Sequence, residues 1–156
     1  MRSSSDVHNL LSELGVPHEI LHLPASSRSA RRAAELLAVP AAEVVKSLIF
    51  QVDSDAVLVL VPGDATADPA ALAAALGGGE ARLARGHQVL ELTGYRAGAV
   101  PPCALAEDLP VVADPAVFAP DVVYCGGGAT ATMLKIRSTD LRALVRPRLV
   151  ALSKRG

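Results

Sequence analysis

The amino-acid sequence predicts an α/β (α+β) fold, with a mixed β-sheet and helices packed outside it. Segments with helical spacing alternate with strand-like segments, and several neighbouring strands are joined by turns short enough for hairpins, which an all-parallel sheet lacks. The run 56–62 (AVLVLVP) is apolar on both faces, as expected of a strand in the middle of a sheet. A length of 156 residues fits one domain, and we expect residues 1–156 to form it.

The composition excludes several classes of protein. The chain is 51% hydrophobic and 20% charged, with a formal net charge of -1, which argues against extensive disorder. The near-neutral charge and the 3% of aromatic residues exclude a broad basic surface or a base-stacking platform for nucleic acid. No apolar run approaches the roughly 20 residues of a membrane span, and the first residues do not resemble a signal peptide. We therefore expect a soluble, cytoplasmic protein that binds no membrane.

Five helices are expected where apolar residues recur at helical spacing. In order, with the residues expected to cap them, they are 7–14 after Asp6, 29–39 capped by Ser27 or Ser29, 69–76 after Asp68, 86–94, and 138–145 capped by Ser138 or Thr139. Gly15, Pro40 and the glycines 77–79 follow the first three helices and are residues that end helices.

Strands are expected in short apolar runs and where apolar residues alternate with polar ones. In order, they are 18–23, 43–51, 56–62, 80–84, 109–114, 121–128, 129–136 and 148–152. The turn at 53–55 joins 43–51 to 56–62 as a hairpin, and the glycines 126–128 join 121–128 to 129–136 as another. A single helical turn is expected at 115–118.

Lys46 is the first residue that the fold does not explain, because it lies inside the apolar strand segment VVKSLIF. A lysine there is seldom fully buried unless it is paired or used. One interpretation is that it points to solvent from a half-buried strand. The other is that it lies at the floor of a cleft and holds an anionic or carbonyl-bearing ligand. Ser47 should face away from Lys46 by strand alternation, although its amide is adjacent and could contribute to an anion site.

Two loops could also carry chemistry. The segment 93–104 (TGYRAGAVPPCA) combines glycines that permit close approach with the stiff pair Pro101–Pro102, which suits recognition by the backbone. Gly126, Gly127 and Gly128 follow a strand and could leave amides free as a nest for a phosphate or an oxyanion. For both loops the alternative is an ordinary turn.

The remaining signals are weak. The sequence has no HExxH, GxSxG or GxGxxG motif. His18 and His22 share one face of a strand but are more readily solvent-facing than metal ligands. Cys103 and Cys125 are not spaced as metal ligands are, and we expect them to be small buried apolar side chains. A disulfide between them is the alternative. Basic residues that could meet phosphates, or simply be solvated, are Arg28, Arg31, Arg32, Arg142, Arg146, Arg148, Lys154 and Arg155.

Three segments together resemble the YbaK/EbsC family of aminoacyl-tRNA deacylases, which is related to the editing insertion of bacterial prolyl-tRNA synthetases. They are 28–50 (RSARRAAELLAVPAAEVVKSLIF), 93–102 (TGYRAGAVPP) and 122–141 (VVYCGGGATATMLKIRSTDL). The resemblance runs from Asp6 to Val145. Its most specific parts are Lys46 with Ser47 after it, and a GxxxP element that begins at Gly98. The segment 28–30 (RSA) is similar to a family motif, RTA, at the start of the second helix.

The resemblance implies a curved mixed sheet around a small pocket, and hydrolysis of an aminoacyl-tRNA ester without a metal or cofactor. It implies that Lys46 holds the phosphate or ribose of the terminal adenosine, that Gly98 with the residues after it positions the substrate, and that Gly128 lines the pocket or donates to the oxyanion. By the same resemblance, the catalytic residues would be Lys46, Gly98 and Gly128, and the substrate-binding residues Ser29, Ser47, Ala99, Val100, Pro101, Pro102, Ala129 and Thr130.

The sequence departs from the family pattern at Ala99, at Cys103, Ala104 and Leu105, and at 129–131 (ATA). We expect these residues to lie in the wall of the pocket. The leading hypothesis is a trans-editing deacylase for mischarged tRNA, with tRNA-Pro as a candidate and prolyl-tRNA synthetase as a candidate partner. The first alternative is a non-catalytic module that binds an aminoacyl or nucleotide group and docks on a synthetase. The second is a hydrolase for small activated esters.

Overall fold

The computed structural model describes residues 1–27 and 29–154, so Arg28 and Arg155 of the predicted basic clusters lie outside the described residues. The helices are α1 (Ser4–Glu13), α2 (Ala30–Leu37), α3 (Pro69–Ala75), α4 (Gly86–Thr93) and α5 (Ser138–Val145), with 3₁₀ turns at Ala41–Glu43 and Pro115–Phe118. The strands are β1 (His18–His22), β2 (Val45–Val52), β3 (Asp55–Pro62), β4 (Thr66–Ala67), β5 (Ala81–Leu83), β6 (Val111–Ala113), β7 (Val122–Gly126), β8 (Thr132–Arg137), β9 (Arg148–Leu149) and β10 (Ser153–Lys154).

The main sheet has five strands in the order β5-β2-β3-β6-β9, and a second sheet has three in the order β1-β8-β7. The pairs β3–β6 and β6–β9 are parallel, and the pairs β2–β3 and β7–β8 are antiparallel hairpins. One parallel bridge between Val44 and Tyr124 brings the start of β2 beside β7, so the two sheets meet there. The predicted α/β (α+β) class with a mixed sheet is confirmed.

Strand β3 lies in the middle of the main sheet, as its apolar sequence predicts. Leu58 and Leu60 point into a core that includes residues of α1 and α5, whereas Val57, Val59 and Val61 pack on the other face with Leu72 of α3. None of these five β3 side chains is more than 4% exposed. Burial on both faces holds β3, and with it the paired strand β2, in a fixed place.

The helix starts differ from the predictions at two of the five helices. Ser3, not Asp6, is the N-cap of α1, and the Asp6 carboxylate accepts a hydrogen bond from the Ser3 amide in a capping box. Helix α5 begins at Ser138 itself, so neither Ser138 nor Thr139 is its N-cap. The Ser138 hydroxyl instead donates to the carbonyl oxygen of Asp121. The predicted caps Ser29 and Asp68 are confirmed at α2 and α3.

Seven of the eight predicted strands are shorter than expected, and local contacts explain two of the differences. Strand β8 starts at Thr132 because residues 129–131 form a turn, in which Ala131 has a φ of 57°. Strand β9 ends at Leu149 because the chain then turns toward Asp114. The Asp114 carboxylate accepts hydrogen bonds from the amides of Leu152 and Ser153, both at 2.9 Å.

The two cysteines and the histidine His18 lie apart from any metal site among the described residues. Cys103 and Cys125 are both buried and free, so no disulfide joins them. His18 pairs with His8 rather than with His22, at 2.9 Å between Nε2 and Nδ1. Within residues 1–27 and 29–154, no three His, Cys, Asp or Glu side chains cluster as a metal site. No helix in that part of the chain is long and apolar enough to cross a membrane.

Candidate functional site

A cavity of about 530 Å³ opens where four parts of the chain converge. The start of β2 forms one wall, and residues of 26–27 and 29–33, which include the first turn of α2, form another. The loop 96–100 and the turn between β7 and β8 close the remaining sides. The cavity therefore lies where the main sheet meets the second sheet, next to the bridge between Val44 and Tyr124.

Lys46 is held in this cavity by the central hairpin, because β2 pairs with β3 over its whole length and Lys46 lies opposite Val61. The side chain is partly buried. Burial lowers the pKa of Lys46 below its usual 10.5, and the negative charge of Asp64 opposes this shift in part. The cleft interpretation of Lys46 is thus favoured over a lysine on a solvated strand face.

Ser47 lines the same cavity as Lys46, although strand alternation predicted that it would face away. Its Oγ is buried and makes no hydrogen bond with any described atom. A buried hydroxyl without a partner is costly, which leaves an unused donor and acceptor in the wall of the cavity.

The loop after α4 is anchored by Tyr95, which is fully buried. Its hydroxyl donates to the Ala104 carbonyl oxygen at 2.8 Å, and its amide donates to Thr93 Oγ1 at 3.0 Å. The Ala99 amide then donates to the carbonyl oxygen of Arg96 at 3.0 Å and closes a turn. Gly98 lies inside this turn with a φ of +89° and open space around it. The loop therefore presents its backbone at the cavity in a fixed conformation.

The three glycines after β7 do not form the predicted nest of free amides. The Gly128 amide donates to the carbonyl oxygen of Ala99 at 2.9 Å, and the Gly127 amide donates to the carbonyl oxygen of Thr132 at 3.1 Å. Because these amides are already engaged, the expectation that Gly128 donates to an oxyanion is wrong for this conformation. The next amide, from Ala129, is likewise bonded to Thr132 Oγ1.

The glycines are instead required for close packing of the backbone. A Cβ at Gly126 would lie 2.3 Å from the carbonyl oxygen of Val100, and one at Gly127 would lie 2.7 Å from the Thr132 carbonyl carbon. Gly128 has a φ of +92°, a conformation that side-chain-bearing residues rarely adopt. The turn and the loop 96–100 therefore touch through their main chains.

The structure brings together most of the residues that the sequence singled out. Those that line the cavity are Lys46, Gly98, Ser29, Ser47, Ala99, Val100, Ala129 and Thr130. Gly128, Pro101 and Pro102 are buried and lie outside the cavity lining. Pro102 lines a separate cavity of about 480 Å³, together with Cys103, Ala104 and Leu105. The expectation that these last three residues belong to the wall of the candidate site is therefore wrong.

Several residues of the cavity were not predicted as site residues, among them Arg96 and Met133. Arg96 belongs to the loop already singled out, and a basic residue beside Gly98 was the available signal. Gly126, which the sequence does single out, lines the cavity as well, but as a site of close packing rather than as part of a nest. Nothing in the alternating apolar pattern of β8 distinguishes Met133 from a core residue.

The electrostatic character of the cavity is positive. Among the described residues that line it, Lys46 and Arg96 are basic, and none is Asp, Glu, His or Cys. The described part of the lining thus offers no carboxylate, imidazole or thiol for general base catalysis or for metal binding. It can attract an anionic ligand, fix it against backbone groups and polarise a carbonyl. Those properties suit a substrate whose bond is already activated.

Comparison with known proteins identifies the class to which this fold and site belong. Residues 25–144 match the aminoacyl-tRNA editing domain family, and the chain belongs to that family.

Three similar proteins illustrate the relationship. A proline–tRNA ligase from Lysinibacillus sphaericus is 41% identical over 81 residues, which are 52% of this chain and 14% of the ligase. The multifunctional Ser/Thr-tRNA deacylase ProXp-y of Escherichia coli K12 is 33% identical over 110 residues, which are 67% of this chain and 66% of that protein. The crystal structure of a proposed trans-editing enzyme for prolyl tRNA synthetase is 30% identical, with a TM-score of 0.90 over 99% of this chain and 98% of the other.

Proposed function

We propose that this protein is a trans-editing deacylase, which hydrolyses the ester between a mischarged amino acid and the 3′ end of its tRNA in the cytoplasm. The observation that carries the proposal is the cavity that Lys46 and loop 96–100 both line, with no acidic side chain among the described lining residues. Membership of the editing-domain family supports the reaction class. The named activities of the relatives favour a mischarged tRNA as substrate, with tRNA-Pro as the first candidate.

The chemistry needs little from the protein because an aminoacyl ester is already activated. A water oxygen attacks the ester carbonyl carbon, the bond from that carbon to the ribose oxygen breaks, and a proton passes to the ribose oxygen. The products are the free amino acid and a tRNA with an intact 3′ hydroxyl. Catalysis then consists of positioning and of stabilising the developing negative charge.

Lys46 supplies the positive charge for this reaction. Its partial burial means that fewer waters compete for the ammonium group, which strengthens its attraction for an oxygen of the terminal ribose or ester. The lysine also places that end of the substrate against Gly98, whose backbone is open to the cavity. Ser47 offers a hydroxyl that has no other hydrogen-bond partner among the described atoms.

The remaining wall would hold the amino acid itself. Ala99 and Val100 come from the loop, and Ala129 and Thr130 come from the turn between β7 and β8. Their side chains are small, so the acyl group would be selected by the shape of the cavity rather than by a charged partner. The loop and the turn are bonded to each other, which makes that shape rigid.

A deacylation screen tests the proposal. A panel of mischarged tRNAs is incubated with the wild-type protein, with Lys46→Ala and with Lys135→Ala, and the loss of the ester is followed over time. Lys135 is the matched control because it is also partly buried on a strand but lies outside the cavity. We expect Lys46→Ala to lower kcat/KM at least 100-fold with unchanged circular dichroism, and Lys135→Ala to retain activity.

Two outcomes would count against a deacylase. One is that no tRNA in the panel loses its amino acid faster than by spontaneous hydrolysis. The other is that Lys46→Ala is as active as the wild type. A module that only docks on prolyl-tRNA synthetase would keep synthetase binding after Lys46→Ala and would show no turnover. A hydrolase of small esters would cleave an aminoacyl methyl ester as well as the tRNA.

A further inference from the structure

Arg96 is a second cation at the cavity, and its surroundings differ from those of Lys46. Its side chain is exposed, whereas that of Lys46 is partly buried. The ion pairs among the described residues are Arg32–Glu35 and Lys154–Asp68, so Arg96 is not neutralised by a protein carboxylate there. The cavity therefore has one inner and one outer positive charge.

The backbone of Arg96 is fixed even though its side chain reaches solvent. The residue before it, Tyr95, is fully buried and bonded through its hydroxyl to Ala104. The Arg96 carbonyl oxygen accepts a hydrogen bond from the Ala99 amide. The Ala99 carbonyl oxygen in turn accepts one from the Gly128 amide. The side chain thus starts from a fixed turn at the edge of the cavity, so that binding a ligand has to order the side chain but not the backbone.

A tRNA 3′ end can enter such a cavity in only one direction. The ester must reach the partly buried Lys46 and the Gly98 backbone, while the rest of the nucleic acid has to remain in solvent. The phosphate on the 5′ side of the terminal adenosine is the link between these two parts. It must therefore lie at the exposed edge of the cavity, which is where Arg96 is found.

We propose that Arg96 binds the 5′ phosphate of the terminal adenosine, whereas Lys46 contacts the ribose and the ester. This inference rests on the proposed function. A guanidinium matches a phosphate with two parallel hydrogen bonds, which a lysine ammonium does not provide. Arg96 thereby confers preference for an aminoacylated nucleotide over a simple aminoacyl ester, and it is a binding residue rather than a catalytic one.

The test uses two small probes that cannot be hydrolysed. The first is 3′-amino-3′-deoxyadenosine that carries an amide-linked alanine, and the second is the same compound with a 5′-monophosphate. Dissociation constants are measured by calorimetry for the wild type, Arg96→Ala and Arg85→Ala. Arg85 is an exposed arginine at the other end of α4, outside the cavity lining, and it controls for general charge.

For the wild type we expect the monophosphate to bind about fivefold to tenfold more tightly than the nucleoside probe. That ratio falls to about one in Arg96→Ala and is kept in Arg85→Ala. With a short RNA that ends in the same amide-linked adenosine, the slope of log Kd against log salt decreases by about 0.7 in Arg96→Ala, as expected for one lost phosphate contact on a single strand.

The inference is overturned if Arg96→Ala keeps the wild-type ratio or if Arg85→Ala loses it to the same extent. It is also overturned if the wild type binds both probes equally. These binding results do not depend on turnover. The proposed function fails by a different result, which is the absence of ester hydrolysis in the tRNA panel.

Discussion

The Gly128 amide donates a hydrogen bond to the Ala99 carbonyl oxygen, with 2.9 Å between nitrogen and oxygen. This bond joins the turn after β7 to the loop after α4, two segments almost thirty positions apart in the sequence. Beside it, Gly126 lies so close to Val100 that there is no room for a methyl group. Two walls of the cavity therefore behave as one unit, which is built from main-chain atoms.

Gly126→Ala should damage this unit. The new methyl group would lie 2.3 Å from the Val100 carbonyl oxygen, so the loop has to move. We expect a loss of about 2 kcal/mol in the free energy of unfolding, measured in urea, and a loss of deacylation of at least tenfold.

Gly86→Ala is the control for that substitution, because a Cβ at Gly86 meets no atom within 4 Å. Its free energy of unfolding should stay within about 0.5 kcal/mol of the wild type. If Gly126→Ala matched Gly86→Ala in both stability and activity, the close contact with Val100 would not shape the site.

Lys46→Met should make the protein more stable and inactive. Burial lowers the pKa of Lys46 even though Asp64 opposes the shift, so the folded state binds this proton less well than the unfolded state does. The free energy of unfolding of the wild type consequently rises with pH between the lowered pKa of Lys46 and its usual value of 10.5. Removing the charge at pH 7 should raise Tm by about 1–3 °C, as measured by thermal unfolding.

The pH dependence distinguishes this explanation from a simple packing effect. The advantage of Lys46→Met over the wild type should shrink as the pH rises toward 10.5, because the wild-type lysine then loses its own proton. An advantage that stayed constant from pH 7 to 10 would mean that the ammonium is not the destabilising group.

Asp114→Asn should loosen the C-terminal segment. Asp114 is buried, with 6% of the residue exposed, and its carboxylate accepts amide hydrogen bonds from Ala116, Leu152 and Ser153. Burial alone would raise the pKa of Asp114, but these hydrogen bonds lower it below its usual 3.8. We expect the amide variant to lose about 2 kcal/mol at pH 7 in a urea titration.

The same residue gives a prediction in acid. The pKa of Asp114 is lower in the folded state than in the unfolded state. The contribution of its carboxylate to the free energy of unfolding is therefore complete above pH 3.8 and is lost as the pH falls through the lowered pKa. The difference between wild type and Asp114→Asn should therefore narrow below pH 4. Asp108→Asn, at an exposed aspartate, is the control and should follow the wild-type curve throughout.

The two thiols should be unreactive in the native protein. Burial raises the pKa of Cys103 to about 12 and raises that of Cys125 further above its usual range, so almost no thiolate is present at pH 8. With a chromogenic disulfide reagent, we expect no rapid reaction in buffer and two equivalents in 6 M guanidinium. One rapid equivalent in buffer would mean that Cys103 is accessible through the cavity that it lines.

The sequence alone was sufficient for the parts of the fold that depend on local pattern. The double-sided apolar run of β3 predicted its central place, and the Pro69 helix with its Asp68 cap formed as expected. The prediction that Lys46 and Gly98 would share a pocket relied on family resemblance, because they lie far apart in the sequence. Periodicity does not reveal which loops meet.

The errors have a common physical cause. Three consecutive glycines indicate either free amides or a close approach of two backbones, and only the tertiary structure decides between them. Here loop 96–100 lies so close that its Ala99 carbonyl oxygen accepts a hydrogen bond from the Gly128 amide, which is then not free. Likewise, Pro102 and Cys103 come soon after the loop 96–100 in the sequence, yet the chain turns away and places them beside a different cavity.

The alanines of the cavity wall have a consequence for how this protein can change over time. Ala30, Ala33, Ala99, Ala129 and Ala131 each contribute no more than a methyl group to a space of about 530 Å³. A larger residue at any of them would reduce the volume by a defined amount without replacing Lys46 or Gly98. If the protein is the deacylase proposed above, its selectivity for the acyl group can change by single substitutions while Lys46 and Gly98 stay in place.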